Sequence, residues 1–292
     1  MSESIIADFV AKFNSESTPP GEPRKGRILL SHKRLVLAAD DDHRTTIPLA
    51  SIFDVAVGHV PPDLGEFFDS TVTIAFERND RRYVAAVEAD DDKIDKFSTV
   101  LFKAILNGTP MRVKHPAKVG GRVTDEAFLA SELFLQPGTV QFSQDGDSVE
   151  VPLAQITNFD RSSHEVGGSK QPVLEFRHMP DSQAVTTLAA TNSARKMSIL
   201  GRYLRLEYSD LIADLREVDL SEDEKEVLVA VYSGAGGAGM SLANILDMDA
   251  SQATMLVNDL EEAELLASAE DGTTLTPKGQ VYVSHHLEDV NA

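Results

Sequence analysis

Ile47-Pro48-Leu49-Ala50-Ser51-Ile52 returns roughly a hundred residues later as Val151-Pro152-Leu153-Ala154-Gln155-Ile156, and such self-similarity at a fixed period outweighs any single propensity. The flanks of this pair also match. Gly26-Arg27-Ile28-Leu29-Leu30 and Arg34-Leu35-Val36-Leu37-Ala38 precede the first copy, followed by the turn Asp40-Asp41-Asp42. Gly121-Arg122-Val123 and Glu132-Leu133-Phe134-Leu135 precede the second, followed by the turn Asp145-Gly146-Asp147. Downstream, Val72-Thr73-Ile74-Ala75-Phe76 and Tyr83-Val84-Ala85-Ala86-Val87 find counterparts in Val173-Leu174-Glu175-Phe176 and Ala184-Val185-Thr186-Thr187-Leu188. Short β-rich runs broken by turn residues predict an antiparallel sandwich or small barrel, used twice.

A helix closes each copy. Asp91 or Asp92 is positioned to cap one that carries Ile94, Phe97, Val100, Leu101, Ala104 and Ile105 on one face. Asn107-Gly108-Thr109-Pro110 stops it. In the second copy, Asn192 or Ser193 caps a helix carrying Met197, Leu200, Tyr203, Leu204, Tyr208, Leu211 and Leu215. Several short strands and one closing helix make the layout of a pleckstrin-homology-like domain, where the helix plugs the barrel and covers an open edge.

From Ser221 the pattern turns helical. Ser221 with Glu224 three residues on forms a capping box ahead of Leu228, Val231 and Tyr232. After the glycine-rich Gly234 to Gly239, Ser241 opens a short helix, and Asp249 or Ser251 caps a longer one, Ala250 to Leu266. Leu265 to Ser268, the turn Glu270-Asp271-Gly272 and Thr273-Thr274-Leu275 make a two-stranded wing before a last helix opened by Pro277. That order is a winged helix. The fold class expected is therefore α+β: two tandem pleckstrin-homology-like β domains, each closed by a helix, over 1–109 and 110–217, then a winged helix domain over 218–292.

A winged helix that holds DNA needs Lys and Arg to neutralise phosphates. The stretch from Val227 to Pro277 contains neither, and the second helix of the pair carries Asp259, Glu261, Glu262 and Glu264. No DNA partner is expected; protein–protein contact or dimerisation is the simpler use.

The 292-residue chain sets 47 Asp and Glu against 27 Lys and Arg, a formal net charge of −20. The acids are spread along the chain, which favours a carboxylate-rich surface suited to a salt-filled cytoplasm over one acidic binding tail. Cysteine is absent, which removes disulfides, thiol catalysis and Cys-ligated metals. No long apolar run offers a transmembrane span, and Met1 to Phe13 lacks the features of a signal peptide, so a cytoplasmic protein without membrane insertion is expected.

Chemistry is hard to find. None of the eight His has a second ligand at helical spacing, and the adjacent His285-His286 cannot share one ion. The Asp-rich turns lack the remainder of a calcium loop, and Gly234 to Gly239 lacks the Lys and Ser or Thr of a phosphate loop. The reading is no enzyme, no cofactor and no metal.

What remains is recognition. Arg24, Lys25, Arg27, Lys33 and Arg34 form one basic cluster, better suited to an acidic protein than to a lipid head group on an anionic membrane that would repel the rest of the chain. Two loops are candidate contact elements: Gly58 to Asp69 with Phe67-Phe68, which also suit burial in the sandwich, and Arg161 to Gln171 with Arg161 and Lys170.

With this arrangement in view, the sequence resembles the CheF family of archaeal taxis proteins. The resemblance rests on Ile6-Ala7-Asp8-Phe9-Val10, Gly26-Arg27-Ile28-Leu29-Leu30-Ser31, Ile47 to Ile52, and the C-terminal segment ending in Leu275-Thr276-Pro277-Lys278-Gly279. It implies an adaptor that binds the response regulator CheY, contacts other Che proteins and reaches cytoplasmic accessory proteins of the archaellum motor, so that phosphorylated CheY controls rotational switching. The family offers no catalytic residues, and oligomeric state stays open, a dimer included.

Overall fold

The computed structural model describes residues 3–18, 22–58, 70–144, 146–180, 183–216, 218–235, 242–269 and 272–291. Two antiparallel sheets follow one another along the chain. The first takes β1 (Ile5–Asn14), β2 (Arg24–Ser31), β3 (Arg34–Ala38), β4 (Arg44–Pro48), β5 (Ile52–Val57), β6 (Thr71–Arg78) and β7 (Arg81–Glu88), in the spatial order β4-β3-β2-β1-β7-β6-β5. Helix α1 (Asp91–Leu106) follows. The second takes β8 (Thr109–Val119), the two-residue β9 (Arg122–Val123), β10 (Leu129–Gln136), β11 (Thr139–Gln144), β12 (Asp147–Pro152), β13 (Ile156–Val166), β14 (Ser169–His178) and β15 (Val185–Ala190), in the order β12-β11-β10-β8-β15-β14-β13 with β9 hung on β8. Helix α2 (Ala194–Arg216) closes the run. With β9 set aside, the two orders are the same.

The quoted hexapeptides are the joint of each copy. A single 3-10 turn, Leu49–Ser51 or Leu153–Gln155, sits between Pro48 (φ −60, ψ 131) and Ile52 (φ −72, ψ 127), or between Pro152 (φ −60, ψ 129) and Ile156 (φ −72, ψ 120). Proline fixes φ where the chain leaves one sheet edge for the other. The flanking matches are displaced. Gly121-Arg122-Val123 is not the counterpart of Gly26-Arg27-Ile28: it turns back on β8 as β9, and Glu132 to Leu135 lies in β10, which occupies the place of β2. The first strand of each copy, β1 and β8, sits in mid-sheet and escaped the sequence reading.

Alternation builds the cores. In β6, Val72, Ile74 and Phe76 are fully buried, and in β3 and β4 so are Leu35, Leu37 and Ile47. Helix α1 lays Ile94, Phe97, Leu101, Phe102 and Ile105 into this core, each worth about 2 kcal/mol of burial, with Phe97 5.2 Å from Phe9. Its cap is Asp90 rather than Asp91 or Asp92: the Asp90 carboxylate accepts from the Lys93 backbone N–H, which leaves the other two acids in the first turn beside the positive end of the helix dipole. On α2, Ser193 accepts from the Lys196 N–H, and Met197, Leu200, Tyr203 and Leu204 are buried. Contacts group the described residues into two compact units, one of 1–110, 132–135 and 191–206, the other of 111–131, 136–190 and 207–292.

The C-terminal elements are α3 (Glu222–Ala230), α4 (Leu242–Ile245), α5 (Ala250–Glu262), the hairpin β16 (Leu266–Ala269) with β17 (Gly272–Leu275), and α6 (Pro277–Asn291). The Ser221–Glu224 capping box is complete, and Asp249 caps α5 by accepting from the Ser251 N–H. Val227, Leu228, Leu256, Leu260, Leu265, Leu266, Leu275 and Val281 share one core. Gly236 to Gly239, Ser241, Glu270 and Asp271, read above as connections and a cap, lie outside the described residues.

Candidate functional site

The basic cluster read from the sequence does not stay together. Strand alternation sends Lys25 and Arg27 to the outer face of the first sheet and Arg24 to the other side, where it meets Asp40 at 3.9 Å and His43 Nδ1 at 3.5 Å. Lys33 and Arg34 lie at the far turn of the β2–β3 hairpin, where Arg34 pairs with Glu3 at 2.7 Å and Ser31 Oγ also donates to Glu3. These contacts hold the Glu3 carboxyl below its ordinary range, chiefly through the Ser31 hydrogen bond.

Register assembles a different patch. Lys12 lies directly opposite Lys25, and Val10 opposite Arg27; Arg27 in turn faces Ala38, and Ala38 faces Arg44. Lys12, Lys25, Arg27 and Arg44 therefore share the outer face, and all four are exposed. Two carboxylates answer them. Arg27 donates from Nε and Nη2 to Asp8 at 2.7 and 2.5 Å, a bidentate pair that lowers the Asp8 pKa, first by that hydrogen bond. Lys12 Nζ reaches Glu88 Oε1 at 3.4 Å, while Glu88, 3% exposed, leaves Oε2 without a hydrogen-bond partner among the described residues. Lys25 has no ion-pair partner among the described residues. Like charges directly opposite on a sheet destabilise it, so the Lys12–Lys25 pair is a cost without a folding benefit. Val10, 53% exposed, stands in the middle. The glycine between the two β2 cations has a steric reason: a Cβ on Gly26 would meet the Phe13 ring at 2.7 Å and the Ala38 carbonyl closer still.

The Arg161 to Gln171 stretch is not a loop but the tip of a long hairpin, β13 and β14 turning on Gly167 (φ 59) and Gly168 (φ 80). Arg161 and Lys170 are exposed on it, Lys170 opposite Glu165. Further along, Lys118, Arg177 and His164 lie 3.1, 3.9 and 4.0 Å from the buried Glu175. Phe67 and Phe68 lie outside the described residues.

Two further features went unseen in the sequence, one buried and one an open pocket. His115 Nδ1 lies 2.7 Å and His178 Nε2 3.0 Å from Thr187 Oγ1, with the rings stacked at 5.8 Å. His178 is 2% exposed and its Nδ1 has no partner among the described residues. A buried N–H without an acceptor is costly, so the His178 proton belongs on Nε2, donating to Thr187, which then donates to His115 Nδ1. Burial first, and then His115, lower the His178 pKa to about 4. The second feature is an open pocket of about 440 Å³ lined by Asn107 to Pro110, Thr191 to Ser193 and Lys196. Lys196 donates to the Ile105 carbonyl at the end of α1, and burial lowers its pKa. Among the described residues, no three His, Asp or Glu side chains converge to hold a metal ion. Nor is any helix there long and apolar enough to cross a membrane.

Lys12, Lys25, Arg27 and Arg44 thus make an exposed cationic face on a chain of net charge −20. The family described as Archaeal Chemotaxis signal transduction system protein F matches residues 5–210, which takes in both sheets. Taxis protein CheF2 of Halobacterium salinarum is 46% identical over 291 residues, covering 100% of both chains. Taxis protein CheF1 of the same organism is 31% identical over 284 residues, covering 95% of this chain and 94% of that protein. The chain therefore belongs to the archaeal chemotaxis signal transduction system protein F family and has a role in archaeal chemotaxis signalling.

Proposed function

We propose that this chain is a cytoplasmic, non-catalytic adaptor that binds the response regulator CheY, contacts other Che proteins and links them to cytoplasmic accessory proteins of the archaellum motor switch. Three modules would carry it: pleckstrin-homology-like β domains over 1–109 and 110–217 and a winged helix over 218–292. The repeated strand order supports the first two, and the order of three helices, hairpin and helix supports the third. The acidity of the chain fits a salt-rich cytoplasm.

The observation that carries the reading is the outer face of the first sheet. Lys12, Lys25, Arg27 and Arg44 gather there around exposed Val10 on a chain of net charge −20. Such a face suits an acidic partner, and contact charges set register and specificity more than raw affinity. The test is retention of purified CheY on the immobilised chain in molar salt, with and without a phosphate mimic. Retention in either condition is expected; loss in both sinks the reading. Lys25→Glu with Arg27→Glu should weaken retention tenfold or more.

A further inference from the structure

The first sheet's cationic face has a complement at the other end of the sequence. Helix α5 buries Ala253, Leu256 and Leu260 and turns Ser251, Gln252, Met255, Asn258, Asp259 and Glu262 to solvent. The spacing of these exposed positions makes one stripe along the helix. Met255 is 55% exposed at its centre, and Ile245 on the adjoining α4 is 49% exposed. From Val227 to Pro277 the chain holds no Lys or Arg, and among the described residues neither Asp259 nor Glu262 has an ion-pair partner.

We propose that the α5 stripe of one copy docks on the β1–β2 face of a second copy, Met255 against Val10. The spacings agree. Asp259 and Glu262 lie about 6 and 10 Å along the helix from Met255. Around Val10, Arg27 lies about 5 Å across the strand pair, Lys12 about 7 Å along the strand and Lys25 about 8 Å on the diagonal. An apolar contact between two exposed side chains is thus ringed by opposite charges, with Lys25 the cation free to move. The contact joins two different faces, so it is heterologous, and both remain open for further copies. Each copy carries −20, but at 1 M salt the screening length is about 3 Å, so distant repulsion fades while the contact pairs stay close. The inference takes the same face as the adaptor reading, so a second copy and an acidic partner would compete for it, but its test uses no other protein and fails separately.

Sedimentation velocity of the full chain in 2 M KCl, at concentrations up to 100 µM, reads it directly. The wild type is expected to associate with rising concentration. Met255→Ser, the pair Lys25→Glu with Arg27→Glu, and the pair Asp259→Lys with Glu262→Lys should each weaken association tenfold or more, with unchanged circular dichroism. Mixing the two charge-reversed variants one to one should restore it. Each supplies the face the other lost, and the reversed faces are again opposite in sign. A wild type that stays monomeric, or a mixture that behaves like its separate components, overturns the proposal.

Discussion

The two sheets repeat one strand order yet fill the same end of their cores in different ways. In the first, Ile52 pairs with Phe76, Phe76 with Tyr83 and Ile74 with Ala85. In the second, Ile156 pairs with His178, His178 with Val185 and Phe176 with Thr187. His178 therefore occupies the place of Phe76, and Thr187 that of Ala85. The first solution is apolar: Phe76 and Ala85 are wholly buried, and the Phe76 ring stacks on Tyr83 at 5.6 Å. The second buries a shared hydroxyl between two imidazoles and leaves His178 Nδ1 unpaired. A fold tolerates polar groups at such a site only as a set, because one partner without the others is a desolvated orphan.

The largest expected effect comes from breaking that set rule. Phe76→His in the first sheet would bury an imidazole beside Ala85, with no hydroxyl to meet it, and should cost about 4 kcal/mol in urea denaturation. A cost below about 1 kcal/mol would show that the two sites are interchangeable and end the comparison.

The next effect is pH dependence. His178 titrates near 4 when folded against 6.5 when free, and burial lowers His115 as well, with Glu126 opposing. Between those values the unfolded chain binds more protons than the folded one, so stability rises with pH. It should be fully present above about 6.5 and fall by up to about 3 kcal/mol as pH drops towards 4. The double variant His178→Phe with Thr187→Ala installs the first sheet's solution. It should remove His178's share of this slope and cost about 1 kcal/mol at pH 7, because the partly exposed His115 Nδ1 is then the one group that loses its Thr187 partner. A slope unchanged in the double variant would assign the titration elsewhere.

Thr187→Val alone should be worse than the double variant, costing about 2 kcal/mol, since both ring nitrogens lose their common partner. Thermal or urea unfolding of the single and double variants side by side gives the order. The smallest effects sharpen what the copies share. Asp90→Ala on α1 and Ser193→Ala on α2 should each cost about 1 kcal/mol, because both side chains meet the same orphan N–H of a first turn.

What was legible in the sequence was local. Pro48 and Pro152 fix their own φ, and the spacing of Ile94, Phe97 and Leu101 declares a helix face, so the two joints and α1 could be read directly. Strands β1 and β8 could not. The stretch over β8 carries Pro110 and Pro116 among three Lys and Arg residues and reads as a connection after a stopped helix. The capping residue of α1 was missed by one position, as three aspartates in a row compete for one geometry. The basic patch changes its members for a deeper reason. Arg24, Lys25 and Arg27 are neighbours in sequence, but alternation parts Arg24 from the other two, whereas Lys12 and Arg44 join the face only through cross-strand register. The imidazole pair is likewise a product of register, since His115 and His178 are far apart along the chain.

The mid-sheet position of β1 also sets an order of events during synthesis. Strands β1 to β4 form a meander of neighbours and can pair as they leave the ribosome, with β2 lying along one edge of β1. The other edge of β1 waits for β7, whose partners Val87 and Glu88 are made some seventy residues after Phe13 and Lys12. Until then its open backbone is a site for a wrong neighbour, and the later sheet, built around β8, repeats the delay. A growing chain therefore passes twice through a half-closed sheet, and chaperone contact should concentrate in those two windows of translation.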